Sequence, residues 1–175
     1  TGTRNYYLGQ AYGVRAYLYF HLYRTFGGVP LIKAPKVMNG VTNAEDLYEG
    51  RATAKHTLDF IKEDISKSET AFGDNETVNL NKGMWSKAAT IVLKGEVYLW
   101  SAKVTTDDQS PASGDITTAR DALSRLVGKY RLLDDYKDVF AYENKGNDEV
   151  IMALRFMDGE ASNWIYNFTY TDADF

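Results

Sequence analysis

Between residues 6 and 26 apolar side chains recur at three- and four-residue spacing on more than one face, which predicts a helix. Tyr12, Ala16, Tyr19, Phe20 and Tyr23 form one stripe, and Val14, Leu18 and Leu22 form a second. After Gln10 only Arg15, His21 and Arg24 are strongly polar. A helix apolar nearly all round is a buried helix that needs partners on several sides. Phe26-Gly27-Gly28-Val29-Pro30 should end it, because glycine accepts the left-handed conformation past a last turn and Pro30 cannot continue a helix.

Residues 31–43, with Pro35 and Asn39-Gly40, read as a loop. A second helix is predicted over 44–70. Its seam is Leu47, Ala54, Leu58, Ile61 and Ile65, continued by Phe72, and Lys55, Asp59, Lys62, Glu63 and Lys67 lie opposite. Thr42 and Glu45 have capping-box spacing, with Asn43 as an alternative cap. In a third helix, over 84–104, Ala88, Gly95 and Ala102 keep one stripe small, so that another helix can approach closely. A polar loop over 105–114 leads to a fourth helix over 115–128, with Ile116, Ala119, Leu123 and Leu126 on one face. These last two resemble a tetratricopeptide hairpin with a longer loop than that repeat has. Around Tyr130–Leu133 and Tyr136–Tyr142 the chain reads as short, partly helical pieces. Two strands are expected, Glu149–Phe156 and the alternating Trp164, Tyr166, Phe168 and Tyr170. The expected fold class is mainly α: tetratricopeptide-like helical hairpins of an α-α superhelix, irregular loops and a minor strand component near the C-terminal end.

Length and composition narrow the picture. The 175 residues fit one domain, and 44% hydrophobic with 25% charged residues is ordinary for a globular fold. A net charge of −4 lacks the basic footprint of a nucleic-acid binder. No apolar run is long enough to span a membrane. The absence of cysteine removes disulfides, thiolate metal sites and a cysteine nucleophile. Thr1 opens directly into predicted structure without a leader, and the chain stops after an aromatic-rich stretch. We therefore expect residues 1–175 to be a single helical module of a longer polypeptide.

Catalytic chemistry is not legible. There is no G-x-S-x-G, H-E-x-x-H, Walker A loop or G-x-G-x-x-G. His21 and His56 lack ligand-spaced partners, and His21 reads as a packing residue. Asp107-Asp108 and Asp134-Asp135 lack the calcium-loop register and read as solvated loop acids. We expect no catalytic residue, no metal and no cofactor. The unusual feature is 13 Tyr, 8 Phe and 3 Trp, a density that serves either a large core or a stacking surface.

The string Arg15-Ala16-Tyr17-Leu18-Tyr19-Phe20-His21-Leu22, followed by Phe26-Gly27-Gly28-Val29-Pro30-Leu31, resembles the R-A-x-x-Y-F-x-L and aromatic-Gly-x-V-P-L signature of the SusD/RagB family. Asp64-Ile65 stands at the family's D-L position. Lys87-Ala88-Ala89 with Val97-Tyr98-Leu99 resembles its K-A-A…V-Y-L helix, Tyr130-Arg131-Leu132 its Y-x-L, and Asp148-Glu149-Val150-Ile151 its N-x-E-x-I. The resemblance runs from about Gln10 to Phe156. Gly95 departs from the usual Ala, and Asn81-Lys82-Gly83 stands where the family has Gly-Arg.

What the resemblance implies is a non-catalytic, lipid-anchored protein on the extracellular face of the Bacteroidetes outer membrane. Such a protein binds oligosaccharides and delivers them to a SusC-like TonB-dependent transporter. Its lipid anchor, the only membrane contact, would lie outside this chain. Most sugar-contacting aromatics of the family would also lie outside, which leaves Tyr6, Tyr7, Trp164 and Tyr166 as ligand candidates. Core packing is the ordinary reading for each. Two other functions compete: a helical-repeat scaffold for a protein partner, and a glycan-active enzyme whose paired carboxylates lie elsewhere.

Overall fold

The computed structural model describes residues 2–156 and 159. Five α-helices carry the fold: α1 (Gly2–Phe26), α2 (Ala54–Phe72), α3 (Lys87–Ser101), α4 (Asp115–Ser124) and α5 (Tyr136–Phe140). Single 3₁₀ turns lie at Glu45–Leu47, Leu80–Lys82 and Tyr142–Asn144.

The first helix ends where its glycines require. Gly27 takes a φ of +69° and its N–H donates to the Tyr23 carbonyl at 2.8 Å. The second begins ten residues later than its apolar seam suggested. Around Thr42 and Glu45 there is only a 3₁₀ turn, in which Asn43 Oδ1 accepts from the Glu45 N–H at 3.3 Å. The effective cap is Thr53, whose hydroxyl accepts from the His56 N–H at 3.1 Å. Asp108, from the α3–α4 loop, adds a carboxylate that accepts from the Lys55 N–H at 3.2 Å.

Contacts between α1 and α2 run in opposite order along the two helices, so the pair is antiparallel. Tyr6 meets Phe72, Gly9 meets Ser68, Arg15 meets Asp64, and Tyr19 meets Phe60. The same ordering makes α2 and α3 antiparallel, through Lys62 with Ser101 and Glu69 with Lys94. It holds for α3 and α4 as well: the Ala112 N–H, just before α4, donates to the Ser101 carbonyl at 3.1 Å, and a Cβ on Gly95 would lie 2.6 Å from Leu123. The small stripe therefore marks a close helix contact, and the hairpin is present. Ala16, Phe20, Leu58, Ile61, Ile65, Trp85 and Val97 are buried in one shared core, and Ile91, Ala122 and Leu126 form a smaller one between α3 and α4. Fully burying each large aliphatic or aromatic side chain contributes about 1.5–3 kcal/mol.

Polar side chains fix the register of this core. Asp64 is fully buried and receives Arg15 Nε at 2.6 Å and Nη2 at 2.8 Å, a bidentate pair linking α2 to α1. The Arg15 guanidinium also lies 5.0 Å from the Phe60 ring centroid and 5.4 Å from that of Tyr12. Ser68 donates to the Gly9 carbonyl at 2.6 Å and pairs with Thr90 at 2.9 Å, and Trp85 Nε1 donates to Thr90 at 2.8 Å. Trp85 reaches this position because Gly13 leaves room: a Cβ there would overlap the indole. Across the other side of α2, Lys62 bonds Ser101 and Asp115, and Glu69 bonds Lys94 and Arg125.

Among the described residues there is no strand. Glu149–Phe156 turns at Glu149, bends at Ile151 and runs on without regular structure, tied by the Ala153 N–H to the Lys82 carbonyl at 3.0 Å. Its side chains pack on helices: Met152 on the main core and Ile151 on the smaller one. A period-two pattern produces a strand only where a neighbour completes the ladder. The alternating aromatics from Trp164 to Tyr170 lie outside the described residues. Leu80, Asn81 and Lys82 have positive φ of 47°, 49° and 69°, a costly conformation for residues with side chains. The segment after Asn147 clamps this turn, with the Lys82 ammonium bound to the Asn147 carbonyl at 2.5 Å.

Candidate ligand-binding surface

Tyr6 and Tyr7 occupy the first turns of α1 and meet different surroundings. Tyr6 is half-buried, its ring edge-on to Phe72 at 5.9 Å, and its hydroxyl accepts from Asn79 Nδ2 at 2.7 Å. It is a packing residue with a polar tip. Tyr7 is 58% exposed and rests against Tyr6 with ring centroids 5.7 Å apart. Asn79, itself exposed, completes a small patch of one open aromatic face beside hydrogen-bonding groups. Trp164 and Tyr166 lie outside the described residues.

A second surface, which the helical periodicity did not announce, runs between α1 and α3. Phe20 meets Trp100 at 6.0 Å and Tyr17 meets Trp85 at 5.6 Å, so these two helices run in the same direction. Beside these contacts lie two clefts that share Glu96 in their walls. One, of about 410 Å³, is lined by Tyr17, Trp85, Val92, Glu149, Ile151 and Leu154 among others. The other, of about 520 Å³, has Phe20, Leu99, Trp100 and Val104 as its apolar wall and Arg24, Glu96 and Lys103 beside them. Arg24 is engaged internally, with its guanidinium 4.5 Å from the Phe20 centroid and 3.8 Å from Glu96. Leu99 and Trp100 remain 42% and 40% exposed. On α1 itself, Val14, Leu18 and Leu22 stand in the open, so the stripe expected to be buried is the uncovered one.

Titratable groups are organised for structure. Half-burial opposes ionisation of Glu69, but its bonds from Lys94 and Arg125 outweigh this and hold the carboxyl below its ordinary value. Asp108 is held low by the Thr53 hydroxyl, with help from Thr106 and the Lys55 amide. The loop acids are thus helix caps: Asp108 serves α2, and Asp135 Oδ1 accepts from the Lys137 N–H at 2.9 Å in α5. His21 is exposed, its ring edge-on to Tyr17 at 4.5 Å and Nδ1 3.2 Å from Arg24. Among the described residues no three His, Asp or Glu side chains cluster as metal ligands would. No helix of the described residues is long and apolar enough to cross a membrane.

The class defined by this geometry is an α-helical module of paired helices with aromatic and apolar surface and an ionic frame behind it. Residues 3–99, which contain all but the first residue of α1, all of α2 and most of α3, match the SusD-like_3 family, described as starch-binding and associating with the outer membrane. The chain belongs to the SusD-like family. It is 29% identical over 168 residues to SusD-like protein P38 of Formosa agariphila, covering 91% of this chain and 31% of that protein. A solved SusD superfamily protein of Bacteroides fragilis superposes with a TM-score of 0.84 at 42% identity, over 97% of this chain and 34% of the other. NanU of B. fragilis gives 0.80 at 41% identity, over 95% and 32%. The chain thus spans about a third of the length of these relatives.

Proposed function

We propose that this chain is a module of a non-catalytic oligosaccharide-binding protein held at the extracellular face of the outer membrane. In this reading a lipid anchor outside these residues tethers the protein, and a SusC-like TonB-dependent transporter receives its ligand. The observation that carries the reading is the match of residues 3–99 to a family described as starch-binding and outer-membrane-associated. A further solved protein, described as laminarin-binding, shares the fold at a TM-score of 0.64 and 24% identity, over 82% of this chain and 29% of its own.

Tyr7 is the contact we assign within the described residues. Its open ring suits the C–H face of a pyranose, and the exposed Asn79 amide has capacity for a hydroxyl. Trp164 and Tyr166 are proposed as further stacking contacts, and Tyr6 supports Tyr7 from behind. Calorimetric titration of the natural gene product with a panel of oligosaccharides tests this. Binding of at least one glucan-type oligosaccharide is expected, with Tyr7→Ala weakening it about tenfold, or about 1.4 kcal/mol. Unchanged affinity would remove Tyr7 from the site. Release of new reducing ends would replace binding by catalysis.

A further inference from the structure

A third cleft, of about 600 Å³, lies between the turns of α5 and Tyr142–Asn144 and the segment that follows Asn147. Phe140, Leu154 and Phe156 supply apolar walls and stay 69%, 67% and 46% exposed. Among the described residues its charged walls are Lys145 and Arg155 alone, and Asp138 and Glu143 of the same turns do not line it. In a chain with a net charge of −4 this is a local reversal of sign. Cations elsewhere in the fold are matched, Arg24 by Glu96, Lys62 by Asp115 and Lys94 by Glu69. Arg155 meets no carboxylate among the described residues: Nη2 donates to the Asn81 carbonyl at 2.5 Å, and Nε is buried without an acceptor. The Lys145 ammonium sits 3.6 Å from the Tyr142 centroid, a contact that positions the cation without supplying an oxygen acceptor.

Both walls are held in place by the protein itself. The buried Asn147 donates from Nδ2 to the Val139 and Asn144 carbonyls at 3.0 and 2.8 Å, which ties the α5 side to the start of the second wall. That second wall hangs on the Ala153 N–H at the Lys82 carbonyl, and Tyr136 braces Phe140 edge-on with centroids 5.1 Å apart. Open aromatic rings beside two cations suit a pyranose that carries a carboxylate. The rings take its C–H face, and the guanidinium and ammonium take its charge. A neutral sugar would leave both cations unanswered, and an apolar occupant would bury them without a partner. We propose that this cleft is a second saccharide site, one that selects uronate-containing oligosaccharides over their neutral counterparts. It rests on the reading of the protein as an oligosaccharide binder and adds a charge class to it, at a cleft that Tyr7 does not line.

Trimers of galacturonate, glucuronate and mannuronate test this, each paired with the neutral trimer made by reducing its carboxyls to alcohols. All are titrated calorimetrically into the natural gene product at low and high salt. At least one uronate trimer should bind about tenfold or more tightly than its reduced partner, and salt should narrow the difference. Lys145→Gln should weaken the uronate about fivefold more than the neutral trimer, at an unchanged melting temperature. Phe140→Ala should weaken both members of the pair. Arg155 is left in place because it also holds Asn81. Equal affinity for every acid and its reduced partner would overturn the charge selection, while glucan binding measured alongside would leave the oligosaccharide reading intact. No binding of any acid, neutral trimer or glucan would overturn that reading and this site with it. A preference untouched by Lys145→Gln would place acid recognition elsewhere and overturn the site. So would a Lys145 that resists a small amine-acylating reagent in the native protein but reacts in denaturant, since the cleft would then be closed by the protein's own chain.

Discussion

Arg15 and Asp64 are 49 residues apart in sequence and form the most exacting contact in the molecule. Both belong to motifs visible in the amino-acid sequence, yet nothing in their local pattern says that they meet. Periodicity reports which face a residue occupies, and pairing depends on how two helices pass each other. The consequence of losing Arg15 follows from burial. Asp64 is fully enclosed, so Arg15→Met leaves a carboxylate without its bidentate partner and should destabilise the fold by roughly 3–5 kcal/mol in denaturant titrations. The double change Arg15→Met with Asp64→Leu removes the stranded charge and should recover much of that loss. If the double variant is no more stable than the single one, the pair contributes through something other than its charge. Tyr6 and Tyr7 carry the same lesson in reverse: adjacent and chemically identical, they differ because one ring points at Phe72 and the other at solvent.

At the scale of elements, legibility follows whether the signal is local. The end of α1 was readable from Gly27 and Pro30, because glycine's left-handed backbone and proline's missing N–H act within one turn. The start of α2 was not, since its capping includes Asp108 from a loop more than fifty residues on. The strand expected over 149–156 failed for a related reason, because alternation does not supply a ladder partner and this segment lies on helices. The Ala88/Gly95/Ala102 stripe was readable, and it yields a discriminating comparison. Gly95 faces Leu123 so closely that Gly95→Leu must push the Leu123 side chain out of its place, at about 1–3 kcal/mol or more. Trp100→Leu changes a residue already 40% exposed beside one of the clefts. Thermal melts should show the larger loss at Gly95, and equal tolerance would mean that α3 and α4 are not locked at this point.

For the molecule as a whole, α2 is the shared ionic frame, bonded to α1 through Asp64, to α3 and α4 through Lys62, and to α3 and the turn after α4 through Glu69. The family and the helical architecture were legible, but this frame and the clefts beside α1 and α3 were not, since both are properties of assembled helices. The frame implies how acid undoes the fold. Glu69 and Asp108 both have folded-state values below their ordinary ones of 4.5 and 3.8. A carboxyl with a depressed folded value contributes stability that is fully present above its unfolded value and is lost as pH falls through the folded one. The melting temperature should therefore hold steady near neutrality and drop as pH is lowered below about 4.5. Glu69→Gln removes the negative charge that Lys94 and Arg125 share, so it should lower stability at neutral pH and flatten the decline in acid. Asp108→Asn keeps a hydrogen-bond acceptor at the α2 N-terminus and should do the same more weakly, because its site is open to solvent. Melts of the three proteins across the acid range check the sign: an acid slope unchanged in Glu69→Gln would place the titrating groups elsewhere and detach α2 from the role of frame.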